Sequence, residues 1–116
     1  MDGNAYQEKT RTTAIYVETV QPISQEEARI VYTMFGMMGE LGELAEKVKK
    51  TLRGGKTLAS IKGDQRFAKE LGDIAWYFSE TCTELGFKVN DVLEGNVAKL
   101  ASRKERGVLH GEGDDR

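Results

Sequence analysis

The chain is short of the residues that make cross-links, sharp turns and imidazole sites. Its one cysteine, Cys82, cannot form an intrachain disulfide, which suits a reducing compartment. A lone proline, Pro22, argues against a many-turned β-fold. The single histidine, His110, lies near the end, so a His-rich metal centre cannot be assembled within one chain. No apolar run approaches the ~18 residues needed to span a bilayer. The opening "MDGNAYQEKTRTTAIY" has no apolar segment of signal-peptide type. A soluble, cytoplasmic protein without membrane association is expected. Seventeen basic residues oppose 19 acidic ones, and no basic block is long enough to grip a phosphate backbone, so no nucleic-acid partner is expected. Internal repeats and low-complexity segments are also lacking.

What is present is charge, at 31% of 116 residues, and helical periodicity. The length allows one domain, residues 1–116, with a modest core. A short helix is predicted from Asn4 to about Ile15, with Ala5, Tyr6 and Ala14 able to face a core, then a linker over Val17–Ile23. Ser24-x-x-Glu27 reads as a capping box that starts a long helix ending at Gly54-Gly55. Its apolar arc holds Ile30, Met34, Met37, Met38, Leu41, Leu44, Ala45 and Val48, and Lys47, Lys49, Lys50 and Arg53 suit the dipole of its last turns. "KTLASIKG" reads as a loop with a short helical turn. Asp64 caps a helix from Gln65 to Leu85, stopped by Gly86 and carrying Phe67, Leu71, Ile74, Phe78, Cys82 and Leu85. A last helix is predicted from an Asn90 cap to Arg106, followed by a non-helical tail over 107–116. The class is all-α.

Two of these helices carry matched acid pairs at i, i+3 beside their apolar arcs: Glu40 with Glu43, and Glu70 with Asp73. The first lies in "GELGEL", where each acid follows a glycine that costs roughly 1 kcal/mol against alanine in a helix interior. Gly42 and Gly72 each precede the second acid of a pair. They either let another helix approach or leave room for something the acids hold. If the two arcs pack together, four carboxylates converge, and such a cluster repels itself unless cations neutralise it. Oxygen-only ligands select a hard ion, Mg²⁺ or Mn²⁺. The competing reading is two ordinary solvated acidic faces.

The last helix carries Asn96, Lys99 and Arg103 on one ridge. An amide, an ammonium and a guanidinium together suit phosphate oxygens, though cations near a helix C-terminus are also commonplace. "RGGKT" lacks Walker A spacing. A ferritin-like di-iron site requires Glu-x-x-His motifs, which the chain does not have. No Cys–His or Ser–His nucleophile is available, which leaves metal-activated water as the chemistry.

Glu40-x-x-Glu43, 26 further residues and Glu70-x-x-Asp73 resemble the paired acidic motif of the MazG-like all-α nucleoside triphosphate pyrophosphohydrolases. "GELGELAEKVKK", "KELGDIAWYFSE", "NVAKLASRKERGV" and "GEGDDR" are similar, in the same order, to segments of the short stand-alone type from bacteria and phages. The tail departs from the Gly-Ser-Gly-Asp-Asn-Arg pattern of that type at Glu112 and Asp115. The resemblance implies a helical bundle completed by oligomerisation, as a homodimer or homotetramer. It also implies Mg²⁺-dependent cleavage of (deoxy)nucleoside triphosphates between the α- and β-phosphates. On it, Glu40, Glu43, Glu70 and Asp73 become metal-site residues, with Glu43 a candidate general base. Asn96 and Lys99 match phosphate-contacting positions, Arg103 is a further candidate, and Trp76 (with Tyr77 beside it) is a candidate contact to base or sugar. A non-catalytic helical dimer that senses nucleotides or binds a partner is the alternative from another class. A phosphoribosyl-ATP, dUTP- or dCTP-specific relative of the fold is the alternative within the same class.

Overall fold

The computed structural model describes residues 2–116, and among these there are only helices, turns and bends. The order is α1 (Gly3–Arg11), α2 (Tyr16–Thr19), α3 (Gln25–Arg53), a 3-10 turn (Leu58–Ile61), α4 (Gln65–Leu85) and α5 (Val89–Glu105).

The long helices begin and end where local chemistry requires. Ser24 Oγ accepts from the Glu27 amide at 3.1 Å while Glu27 Oε1 accepts from the Ser24 amide at 3.0 Å, so the capping box is complete. Asp64 Oδ1 accepts from the Arg66 amide at 2.9 Å to open α4. Gly86, at φ +80, closes it in the left-handed conformation that favours glycine. Elsewhere the predicted boundaries shift. The first helix stops at Arg11, not Ile15, because the Thr12 and Thr13 hydroxyls bond back to the carbonyls of Lys9 and Thr10 at 2.7 and 3.0 Å. A four-residue helix, Tyr16–Thr19, then occupies part of the expected linker. The link from Gly86 to Lys88 is so short that α5 starts at Val89, without a side-chain cap, and Asn90 falls inside its first turn.

Among the described residues, α3 and α4 form an antiparallel hairpin, the one extensively packed pair of helices; α3 also touches the 3-10 turn, and the other helices meet at most glancingly. The α3 stripe facing α4 runs Ile30, Thr33, Met37, Glu40, Leu44, Lys47 and Thr51, all at least partly buried. The α4 stripe runs Phe67, Glu70, Ile74, Tyr77, Thr81 and Glu84, likewise buried or half-buried. Steps alternate between three and four residues on both helices, the spacing of a coiled-coil seam. Arg29 bridges the seam to Glu84 at 3.2 Å at one end, and Lys47 bridges to Glu70 toward the other. Gly36 lies under the Tyr77 ring, where an added Cβ would overlap it. Gly39, Gly42 and Gly72 face open space, so close helix packing explains only the first glycine of the run.

The predicted apolar arcs are only half covered. Met34, Met38, Leu41, Leu71 and Leu85 remain exposed, as do Leu93, Val97 and Leu100 on α5 and Tyr6 on α1. Cys82, at 6% exposure, is the only buried hydrophobic side chain among the described residues. No helix is long and apolar enough to cross a membrane among these residues.

Candidate metal centre

Glu40 and Glu70 are seam residues, and this placement puts two carboxylates between packed helices. Glu70 is buried, at 8% exposure, and Glu40 is half-buried. Their i+3 neighbours, Glu43 and Asp73, sit outside the seam and are exposed. Glu40, Glu43 and Glu70 each bring one carboxylate oxygen into a group whose members lie within 4.8 Å of one another. Asp73 stands beside this group. With Glu40, Trp76 and Tyr77 it lines an open cleft of about 360 Å³.

The charges respond to this crowding. Burial pushes the Glu40 carboxyl above its ordinary value, and the negative charges of Glu43 and Asp73 add to the rise. Glu70 moves the other way: the Lys47 ammonium, hydrogen-bonded to its Oε1, holds it below the usual carboxylate range against the opposing effect of burial. The second Glu70 oxygen, Oε2, is buried with no hydrogen-bond partner among the described residues. An acceptor left in that state costs about 1–3 kcal/mol, more when charged. Three clustered carboxylates, one with an unused buried oxygen, suit a hard divalent cation. The donor set is all oxygen, so it fits Mg²⁺ or Mn²⁺ better than a soft metal.

The aromatic candidate borders the acids. Trp76 is exposed and packs edge-to-face on Tyr77, with ring centroids 5.0 Å apart and planes at 89°. Tyr77 in turn lies 6.4 Å from the Tyr32 ring. The indole therefore has a fixed support and an open face at the cleft edge.

The candidate cations on α5 are placed apart from the acids, on a helix that does not pack along the α3–α4 hairpin. Asn96 is exposed, and Lys99 Nζ is 3.6 Å from Asp114 Oδ1. Arg103 does not project as a free cation: it is 4% exposed beneath the tail and donates to the Asp114 carbonyl at 2.6 Å. Arg116 completes the fold of the tail by donating to the carbonyls of Val108, Gly113 and Leu109 at 3.1, 2.5 and 3.2 Å. The segment over 107–116 is pinned by arginines.

Lys47 is the residue of this site that the sequence reading passed over, as one of several cations suited to a helix end. Its position four residues after Glu43 and seven after Glu40, on the seam stripe, is the signal that separates it from Lys49 and Lys50.

Comparison with known proteins follows the same division of the chain. Residues 31–108, which take in most of α3 and all of α4 and α5, match the family described as "MazG nucleotide pyrophosphohydrolase domain". The chain is 37% identical to the "Gene 37 protein" of Mycobacterium phage L5 over 116 residues, the full length of both. No solved structure matches. With its paired acids on facing helices and two thirds of its length matched, the chain belongs to the MazG nucleotide pyrophosphohydrolase domain family.

Proposed function

We propose that the chain, acting as one domain, hydrolyses (deoxy)nucleoside triphosphates between the α- and β-phosphates, releasing a nucleoside monophosphate and pyrophosphate. The observation that carries this reading is the Glu40–Glu43–Glu70 group, with its unpartnered buried oxygen on Glu70. Glu40, Glu43, Glu70 and the adjacent Asp73 would hold Mg²⁺, with Mn²⁺ as a substitute. Bound divalent cations supply neutralisation of the triphosphate charge and make a nearby water more acidic.

The chain's own residues divide the remaining work. Glu43, exposed at the edge of the group, is the acid that would serve instead as general base and accept a proton from the attacking water. The water oxygen bonds to the α-phosphorus, the bond from that phosphorus to the bridging oxygen breaks, and pyrophosphate leaves. Trp76, supported by Tyr77, offers an apolar face to the base or sugar. Asn96 and Lys99 meet phosphate oxygens; with α5 standing off the hairpin, they are best supplied to the acids of a second copy. The proposed assembly is a homodimer or homotetramer, and the proposed location is the cytoplasm.

The test is a panel of canonical and modified nucleotides incubated with purified protein and Mg²⁺. Pyrophosphate is the expected product. Glu70→Gln and Asp73→Asn are each expected to lower turnover by at least ~100-fold with helix content unchanged. Orthophosphate as the product, or turnover indifferent to both substitutions, would refute the assignment.

A further inference from the structure

Lys47 crosses from α3 to α4, and none of its neighbouring lysines does. Lys49 pairs with Glu46 on its own helix at 2.8 Å, and Lys50 reaches the same glutamate at 3.9 Å. A cation placed only to complement the α3 dipole needs no partner on α4. Lys47 instead lies on the seam, with its ammonium on Glu70 Oε1; its side chain keeps 36% exposure while that of Glu70 keeps 10%.

The pairing is also one-sided. Lys47 uses Oε1 alone, and Oε2 of the same carboxylate is buried without a partner among the described residues. Glu40 and Glu43 bring their own oxygens within 4.8 Å of Glu70. An ionic hydrogen bond to one oxygen restricts rotation of the carboxylate and leaves the other as the free donor. Metal-ligating carboxylates are commonly fixed by such outer partners, whose loss weakens binding.

We propose that Lys47 is a positioning residue for the divalent-cation seat: it anchors Glu70 through Oε1 so that Oε2 stands ready as a ligand beside Glu40 and Glu43. The inference rests on the metal reading of the acid group proposed above. It is opposed by a definite rival, in which the ammonium is a surrogate cation that the metal must evict. The two differ in sign. Loss of an anchor weakens metal binding, whereas loss of a competitor tightens it.

The deciding experiment measures Mn²⁺ binding to the full, metal-free chain, by calorimetry and by the electron paramagnetic resonance signal of free Mn²⁺, with no nucleotide present. Lys47→Met keeps much of the stem and removes the charge; it is expected to weaken Mn²⁺ binding by about 10–100-fold. Lys47→Arg restores a cation at the same place and is expected to recover most of that loss. Lys47→Gln keeps a donor without charge, guards against a Met variant that fails to fold, and is expected to bind weakly too. Lys49→Met removes one charge from the same helix end and is expected to stay within about twofold of wild type, because exposed charge is screened. Unchanged or tighter binding in Lys47→Gln and in folded Lys47→Met overturns the role of Lys47 while leaving the metal centre standing. A wild-type chain that binds no Mn²⁺ overturns the metal centre, and the inference with it.

Discussion

Glycine identity separates packing from function at the level of single residues. A methyl group on Gly36 would overlap the half-buried Tyr77 ring, which also packs edge-to-face on Trp76 and lies 6.4 Å from the Tyr32 ring. Gly36→Ala is therefore expected to destabilise the chain by ~1–3 kcal/mol, the usual cost of overpacking. Gly42 faces open space, so Gly42→Ala meets nothing and removes a poor helix former, a gain of up to ~1 kcal/mol. Paired chemical-denaturation curves on the metal-free protein check both signs. If Gly42→Ala stabilises the fold yet slows pyrophosphate release, its glycine leaves room for the ligand or a second copy. Should Gly42→Ala destabilise instead, the open space is not the reason for that residue. The sequence alone could not divide the glycines this way, since spacing does not reveal which one lies under an aromatic ring.

Whole elements were readable where side chains satisfy helix ends. Ser24, Asp64 and Gly86 predict the ends of α3 and α4 because each supplies a hydrogen bond or a backbone conformation that the end requires. The start of α5 was not readable in the same terms, because Lys88 caps it without a side-chain bond and a three-residue link decides the position. Similarly, the apolar arcs were visible, but not the fact that Glu40, Lys47 and Glu70 share the seam with them. Asp64 gives the element scale its own test. Its hydrogen bonds to Arg66 draw its carboxyl down from 3.8 to about 2. A carboxyl lowered in the folded state stabilises fully above its ordinary value and loses that contribution as pH falls through the folded one. Asp64→Asn keeps a good capping residue but cannot ionise. Thermal melts of the two proteins are expected to converge between pH ~4 and pH ~2, with wild type the more stable at the upper end. A difference that is constant across this window would show that the Arg66 pairing adds nothing to the cap.

At the scale of the molecule, the chain has helices but very little interior. Its radius of gyration is 20.1 Å, against roughly 13 Å for a compact chain of this length. One fully buried hydrophobic side chain among the described residues cannot offset the conformational entropy of ordering the rest. The exposed row of Met34, Met38 and Leu41 runs along α3 beside the seam, and Leu93, Val97 and Leu100 offer a second uncovered face on α5. Contiguous apolar surface of this kind marks an interface. A second copy fits both needs, because it would cover these faces and carry an α5 with Asn96 and Lys99 toward the acids. If a second copy covers these faces, folding and assembly become one equilibrium, and the melting temperature is expected to rise with protein concentration. Light scattering is expected to give at least a dimer. Leu41→Glu places a charge in the uncovered row of α3 and is expected to lower both the mass and the melting temperature. It should also suppress pyrophosphate release, although Leu41 is not itself a metal-site residue. A monomer that melts at the same temperature at every concentration would show that the hairpin of α3 and α4 is stable alone, and that the acids work without a second copy.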